Sequence, residues 1–332
     1  MTHSSSPVAP INSAAKTGAP NKKWQWAKRI LTITFFILVP VLLLMLIKNI
    51  EWAEVEQALR SYNATTLFMG AGIAFFSYLV FASYDLVGRK YTGHSLPARQ
   101  VLPLAIVCYA FTLNLTAWVG GIALRFRLYS RLGLDPGTIT KILSMSLITN
   151  WLGYIILAGI LFSFRWIDLP DEAKIGVTAL QFIGFILLAI AATYFCACRF
   201  SKRRSFHFRE HQFTLPKVQL AFIQAGLAMT NWMLMGLLIY TFMPDKVTYQ
   251  TVLGILLISS IAGVIAHIPA GLGVLETIFI AMLHHQLSKG SILAALIGYR
   301  VMYFLLPLAV ACIIYLILES RAKKMAQKNN ST

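Results

Sequence analysis

Eight apolar stretches, most of them about twenty residues long, recur along the whole chain and constrain its fold more than any other feature. About twenty apolar residues in a helix cross the hydrocarbon core of a bilayer. Only 12% of the residues are charged, against about 25% in a soluble domain. The chain is therefore predicted to be an all-α polytopic membrane protein with a single transmembrane domain. The stretches cover residues 30–47, 66–87, 101–119, 142–164, 175–197, 218–242, 250–283 and 291–318.

The basic residues between these stretches predict which of them cross the membrane. If every stretch crossed once, the basic segment 199–217 would lie outside, although cytoplasmic loops are normally the ones rich in Lys and Arg. If residues 98–135 and 250–288 instead enter and leave on one side, 22 of the 29 basic residues are cytoplasmic and 6 are outside. The outer segments then hold seven of the twelve acidic residues. This arrangement has six full transmembrane helices, two re-entrant helical hairpins and both termini in the cytoplasm.

The order of these elements repeats along the chain. Residues 30–165 contain two spans, a hairpin and a third span, and residues 175–320 repeat that order from the opposite side of the membrane. This predicts an inverted repeat within one transmembrane domain, residues 30–320. Residues 1–29 are predicted to be a disordered basic cytoplasmic tail, and residues 321–332 a second basic tail.

The sequence HIPAGLGVLE, residues 267–276, interrupts the seventh apolar stretch. Pro269 removes a backbone donor, Gly271 and Gly273 loosen the helix, and an ionised Glu276 is costly in hydrocarbon. Such a backbone is tolerated at membrane depth only where protein buries it or where it lines a cavity. We expect these residues to hinge the second hairpin and to allow close approach of a ligand; close helix packing is the alternative for the glycines.

Asn114, Gly120, Gly121 and Arg125 cluster at the corresponding interruption of the first hairpin. The two glycines are again expected to act in hinge motion and close approach. Two interpretations of Arg125 stay open: it anchors a phosphate at the cytoplasmic mouth of a cavity, or it belongs to an interfacial helix whose arginines reach water.

Arg300 is the one basic residue inside a predicted span, and it must be paired or hydrated there. Glu276 is its expected partner. The pair is either a structural link between the second hairpin and the last span or a contact for an anionic headgroup, because a guanidinium fits both carboxylate and phosphate. For Glu276 alone there are two further alternatives: a carboxyl group that is held neutral, or a cap of the hairpin helix. Asp85 is expected to form a surface pair with Arg89, one helical turn later.

The sequence contains no nucleophile elbow, phosphate-binding loop, dinucleotide fingerprint or zinc-protease motif. We therefore predict no catalytic residue, no cofactor and no metal, and the protein is not expected to be an enzyme. The net charge of +17 is read as a report of topology rather than of nucleic-acid binding. Membrane phospholipids, anionic or modified, are the expected partners, and a homo-oligomer is left open.

The sequence resembles the transmembrane region of lysylphosphatidylglycerol synthases, a family that includes stand-alone bacterial inner-membrane proteins. The resemblance covers about residues 30–320, and its most specific part is Pro-x-Gly-x-Gly-x-x-Glu, residues 269–276. Trp118 stands where the family has a proline, and Ala270 where a glycine is common. The other matching residues are Asn114, Gly120, Gly121, Arg125, Gly298, Tyr299 and Arg300.

This resemblance implies a phospholipid flippase region, and because the chain ends at Thr332, the aminoacyl-transferase domain of the full-length synthases is expected to be absent. The leading hypothesis is a flippase-like transporter of a phospholipid or lipid-linked headgroup in the bacterial inner membrane. Its predicted lipid-binding residues are Asn114, Arg125, Glu276 and Arg300. The alternatives are a membrane-embedded lipid-modifying transferase with Glu276 as general base, or a lipid-binding scaffold.

Overall fold

The structure is a computed structural model, and its described part is almost entirely helical. The structure describes residues 61–115, 121–166, 176–201, 205–208, 211–244, 246–266 and 273–330, together with Ala53, Glu56, Gln57 and Arg60. Outside these ranges lie the predicted first span and three of the predicted hinge residues, Gly120, Pro269 and Gly271.

Ten α-helices make up most of this described part. They are α1 (Ala64–Thr92), α2 (Ala98–Asn114), α3 (Leu124–Arg131), α4 (Pro136–Ser163), α5 (Val177–Phe200), α6 (Val218–Phe242), α7 (Tyr249–Ala266), α8 (Val274–Leu283), α9 (Lys289–Arg300) and α10 (Leu306–Asn330). A π-helical turn, Val301–Leu305, joins α9 to α10. A short antiparallel pair, β1 (Ser205–Phe208) and β2 (His211–Thr214), lies between α5 and α6. The prediction of an all-α chain therefore missed one small hairpin in a polar loop.

Five helical segments of the described chain are long and apolar enough to cross a membrane. They are α1, α4, α5, α6 and the continuous segment Lys289–Ser320, with mean hydropathies between 1.5 and 2.6. These segments match five of the predicted spans. The chain is thus a helical multi-pass membrane protein.

Local sequence explains where these helices begin and end. The side chain of Asn63 accepts a hydrogen bond from the Thr66 N–H at the start of α1, and α1 ends at Gly93, whose φ is 73°. Pro136 follows the cap Asp135 at the start of α4. Hydrogen bonds from Thr138 hold the pKa of Asp135 below its ordinary value, since they favour the ionised carboxylate.

Two pairs of shorter helices occupy the segments where the sequence predicts hairpins. Helix α2 has 17 residues and α3 has 8, while α7 has 18 and α8 has 10. Within each pair the two helices contact each other. The interruptions predicted from the sequence thus coincide with ends of helices.

Helix α6 lies among the other spans, in contact with α1, α4, α5, α7 and α9. Gly153 of α4 meets it most closely: a Cβ at Gly153 would lie 2.3 Å from the Ala228 Cβ and 2.5 Å from the Ala228 carbonyl carbon. Small residues permit such close crossings, and dispersion contacts between the backbones then hold the helices together.

We predict that Gly153→Leu destabilises the protein, because the Ala228 backbone occupies the space that the new side chain needs. Overpacking of this kind costs about 1–3 kcal/mol, and more where backbone must move. The measurement is the midpoint of thermal unfolding of the purified protein in detergent. Gly226→Leu is the matched control, since nothing lies within 4 Å of a Cβ at Gly226. Equal losses of thermal stability in the two variants would contradict the packing argument.

Candidate functional site

A buried ion pair joins α1 to α3. The Arg125 Nη2 donates to Asp85 Oδ1 at 2.9 Å, and the Tyr129 hydroxyl donates to Asp85 Oδ2 at 2.8 Å. Asp85 and Tyr129 are fully buried and Arg125 is 4% exposed. Both carboxylate oxygens therefore have donors, as a charge in such surroundings requires.

This pair corrects two expectations drawn from the sequence. The expected surface pair between Asp85 and Arg89 is wrong, because Asp85 is buried against α3 and its charge faces Arg125. The interpretation in which Arg125 reaches water is also wrong, since its side chain is 5% exposed. Its Nε has no hydrogen-bond partner among the described residues.

The other arginines of α3 approach Glu319 of α10. The Arg127 Nη2 lies 3.5 Å from Glu319 Oε1, and Arg131 donates to Glu319 Oε2. The Arg127 side chain is 8% exposed, and its guanidinium lies 5.9 Å from the centre of the Tyr315 ring. Helix α3 is therefore bound to acidic residues on both α1 and α10, rather than lying free at the interface.

Glu276 and Arg300 form the contact that the sequence predicts. Arg300 donates from Nε to Glu276 Oε1 at 2.6 Å and from Nη2 to Oε2 at 3.1 Å. This two-bond geometry is the strongest arrangement of guanidinium and carboxylate. The Arg300 and Glu276 side chains are 15% and 21% exposed, so this pair is more open than Arg125 with Asp85.

Glu276 also caps the helix that carries it. The Gly273 N–H donates to Glu276 Oε2 at 2.9 Å, at the first turn of α8, where negative charge suits the helix dipole. Gly273 has φ of 78°, in the left-handed region that favours glycine. The carboxylate thus both pairs and caps, so these two interpretations of Glu276 hold together.

The π-helical turn begins immediately after Arg300, whose guanidinium lies 5.6 Å from the centre of the Phe304 ring. Two carbonyls of this turn accept side-chain hydrogen bonds. The Tyr78 hydroxyl donates to the Tyr303 carbonyl at 3.0 Å, and the Asn114 amide donates to the Phe304 carbonyl at 3.2 Å. Asn114 also donates to the Ala110 carbonyl at 2.9 Å, and it therefore holds the end of α2 against the turn.

A chain of hydrogen bonds extends from this turn through the buried interior. The Tyr303 hydroxyl bonds to the Tyr109 hydroxyl at 2.9 Å and to Ser77 Oγ at 2.8 Å, and Ser77 donates to Asn231 Oδ1 at 2.9 Å. Because Ser77 gives its one proton to Asn231, it accepts a hydrogen bond from Tyr303. The Tyr303 hydroxyl in turn accepts one from Tyr109. We call the set the central polar cluster; it comprises Ser77, Tyr78, Tyr109, Asn114, Asn231 and Tyr303.

The central polar cluster was missed by sequence reasoning except for Asn114. All its members are 6% exposed or less, and they come from α1, α2, α6 and the π-helical turn. Tyrosines in apolar stretches are usually read as packing or interfacial residues. The sequence did offer one indication: Ser77, Asn114 and Asn231 are polar residues in apolar stretches, and burying them in hydrocarbon is unfavourable unless each forms a hydrogen bond.

The described glycines at the interruptions differ in what they do. Gly121 is buried, and a Cβ there would lie 3.3 Å from Thr112 Oγ1, which indicates close approach of α2 to the chain before α3. Among the described residues, nothing lies within 4 Å of a Cβ at Gly273, and its positive φ is what favours glycine there. Within the described residues, no three His, Cys, Asp or Glu side chains lie close enough to share a metal ion. The polar interactions of the described residues are ion pairs and hydrogen bonds.

Comparison with known proteins now decides the family. The model of the lysylphosphatidylglycerol synthase transmembrane region matches residues 29–311. The chain belongs to this family. It is 49% identical over 310 residues to the inner membrane protein YbhN of Escherichia coli K12, which covers 93% of this chain and 98% of YbhN. It is also 28% identical over 265 residues to the uncharacterized protein slr0712 of Synechocystis, which covers 78% of this chain and 81% of that protein.

The family match, the relative from the inner membrane and the apolar helices agree with one another. The chain is a multi-pass protein of the bacterial inner membrane. The predicted resemblance is confirmed. The matched region includes all four predicted lipid-binding residues. The structure places Glu276 with Arg300, Arg125 with Asp85, and Asn114 with the π-helical turn.

We predict that Asp85→Asn destabilises the protein strongly, because Arg125 would be left buried without a counter-charge. Breaking a buried pair in this way costs about 3–5 kcal/mol. The free energy of unfolding in detergent is the measurement, and the double variant Asp85→Asn with Arg125→Gln should recover most of the loss. Asp135→Asn, at an exposed cap, is the control and should change little. A mild effect of Asp85→Asn would show that Arg125 does not depend on it.

For Glu276 and Arg300 we predict energetic coupling in a double-mutant cycle of Glu276→Gln and Arg300→Gln. Each single change strands one partner, so the loss in the double variant should be smaller than the sum of the single losses by about 0.5–3 kcal/mol. Unfolding midpoints in nanodiscs of one lipid composition provide the measurement. Simple additivity would mean that the pair contributes nothing as a pair.

Proposed function

We propose that this protein moves a phospholipid, or another lipid with a polar headgroup, between the leaflets of the bacterial inner membrane without modifying it chemically. The observation that supports this most is the pair of Glu276 and Arg300. The two charges are in bidentate contact, yet neither side chain is fully enclosed. A partly open ion pair in an apolar part of the chain is suited to exchanging one partner for a ligand of like charge.

The proposed architecture has six spans and two re-entrant hairpins, with α2 and α3 forming the first hairpin and α7 and α8 the second. The two halves form an inverted repeat, and both termini lie in the cytoplasm. In support, each pair of short helices makes contact across an interruption of the apolar sequence, and 22 of the 29 basic residues fall on the cytoplasmic side in this arrangement. Hairpins that face each other in this way form a polar cavity while lipid tails remain in the bilayer.

In the proposed exchange, a lipid phosphate takes the place of the Glu276 carboxylate on Arg300. Phosphate oxygens fit the same two donors, Nε and Nη2, that now bind the carboxylate. The displaced Glu276 keeps the Gly273 N–H as a donor and becomes available to a cationic headgroup. One site thereby offers charge complementarity to both anionic and aminoacylated lipids.

Arg125 and Asn114 have a narrower part in this proposal than the sequence suggested. Arg125 is held by Asp85, and Asn114 is held by the Ala110 and Phe304 carbonyls. They position the first hairpin against α1 and against the last span. In this proposal the Arg125 Nε, which has no hydrogen-bond partner among the described residues, is the donor through which this residue contacts a phosphate.

The proposal predicts that Arg300→Ala slows lipid translocation about tenfold or more in liposomes, because charged hydrogen bonds contribute about 1.5–3 kcal/mol. The assay is chemical quenching of fluorescent phosphatidylglycerol in the outer leaflet, with variants of equal thermal stability. The matched control is the exposed pair of Arg60 and Glu56, 2.5 Å apart: Arg60→Ala and Glu56→Gln should translocate at the wild-type rate.

Two results would count against this function. One is a wild-type rate no faster than that of empty liposomes, and the other is a folded Arg300→Ala variant that translocates normally. Lipid mass spectrometry of the same liposomes should show unchanged lipids; a new lipid species would instead favour a transferase.

A further inference from the structure

A basic cavity of about 440 Å³ lies where the ends of α1 and α4 meet the segment between β2 and α6. Three exposed lysines line it: Lys90 from the last turn of α1, Lys141 from the second turn of α4, and Lys217 at the start of α6. No acidic residue is among the described residues that line it. The cavity shares no residue with the Glu276 and Arg300 pair.

The three helix ends that carry these lysines are packed together through apolar residues. Val87, Met145 and Leu220 form a buried cluster that joins α1, α4 and α6, and Leu220 also lines the cavity. Each member stands three or four residues from one lysine, on the same face of its helix. The lysines therefore converge because the fold brings their helices together, not because a loose loop happens to be basic.

The wall formed by β2 is tied to α1. The Tyr91 hydroxyl donates to the Thr214 carbonyl at 2.5 Å, and the Thr214 N–H donates to the Tyr91 oxygen at 3.1 Å. Tyr91 also packs against the apolar cluster below. This double contact holds the rim of the cavity in place, and the site is consequently shaped before any ligand arrives.

The N-terminus of α6 adds to the positive charge. Among the described residues, no side chain caps this 25-residue helix, and its first turn carries no acid. The positive end of the helix dipole next to Lys217 is therefore favourable to an anion. Lys90 by contrast also offsets the negative end of α1, so part of its charge is accounted for within the protein.

Cytoplasmic loops of membrane proteins are generally rich in Lys and Arg, which explains why lysines occur here. It does not explain why three of them line one cavity. Ammonium groups gathered around one cavity repel each other unless an anion joins them. Lysine contacts phosphate as a compact point charge, and the amide of Gln219 in the lining is a neutral N–H donor beside the lysines.

We infer that this cavity binds a phosphate-bearing group on the predicted cytoplasmic face. Two sources share that chemistry: the headgroup of an anionic phospholipid and a soluble phosphate compound. The lipid source fits the position of the cavity at the ends of membrane-spanning helices, where headgroups lie. The site is separate from the proposed translocation site and does not depend on it.

The test compares two variants that remove equal charge from exposed positions. Lys141→Gln with Lys217→Gln removes two cavity lysines, and Arg99→Gln with Arg199→Gln removes two arginines outside the cavity. Native mass spectrometry with phosphatidylglycerol measures lipid binding, and thermal stabilisation by inorganic pyrophosphate measures binding of a soluble anion.

We expect the cavity variant to bind one of these probes about tenfold more weakly than wild type, and the arginine variant to bind as wild type does. Loss of phosphatidylglycerol binding identifies the lipid source, and loss of pyrophosphate binding identifies the soluble one. Lys141→Arg with Lys217→Arg should retain binding, which separates charge from folding. Equal losses in the two glutamine variants, or unchanged binding of both probes in the cavity variant, would overturn the inference.

Discussion

Hydrogen bonding of the π-helical turn by Tyr78 and Asn114 is the interaction on which the rest of this fold depends. A π-helical turn disturbs the regular hydrogen-bond pattern of a helix, and within a bilayer no water replaces what is lost. Here the Tyr303 and Phe304 carbonyls receive protein donors from α1 and α2. The last span is thereby joined to elements far away in sequence, directly beside Arg300.

Ion pairs then attach each pair of short helices to a spanning segment. Arg125 of α3 binds Asp85 of α1, and Glu276 of α8 binds Arg300 in the last span. The short helix supplies the cation in the first pair and the anion in the second. The first pair is enclosed and locks its helices together, whereas the second is partly open. That difference in burial is why the second is the better candidate for a ligand.

The contacts that could be predicted from the sequence are those between charged residues that stand alone in apolar stretches. Arg300 and Glu276 are isolated charges in apolar stretches only 24 residues apart, so each had one evident partner. Asp85 had a basic residue one turn away, and the true partner, 40 residues on, was visible only once α3 folded against α1. The central polar cluster was still harder to predict from the sequence, because tyrosines in apolar stretches usually serve in packing. Hydropathy predicted the five spans of the described chain, since the bilayer demands a similar length of apolar helix from every span.

The central claim is that Arg300 exchanges a carboxylate for a lipid phosphate, and solid-state NMR tests it directly. Dipolar recoupling between ¹⁵N in the arginine side chains and ³¹P in phosphatidylglycerol bilayers reports which guanidinium groups contact phosphate. A nitrogen-to-phosphorus separation of about 4 Å is expected at Arg300, as a hydrogen-bonded phosphate requires. That signal should vanish in Arg300→Ala and persist in Arg60→Ala. A spectrum in which Arg300 shows no coupling to phosphorus, with Glu276 as its permanent partner, would contradict the claim.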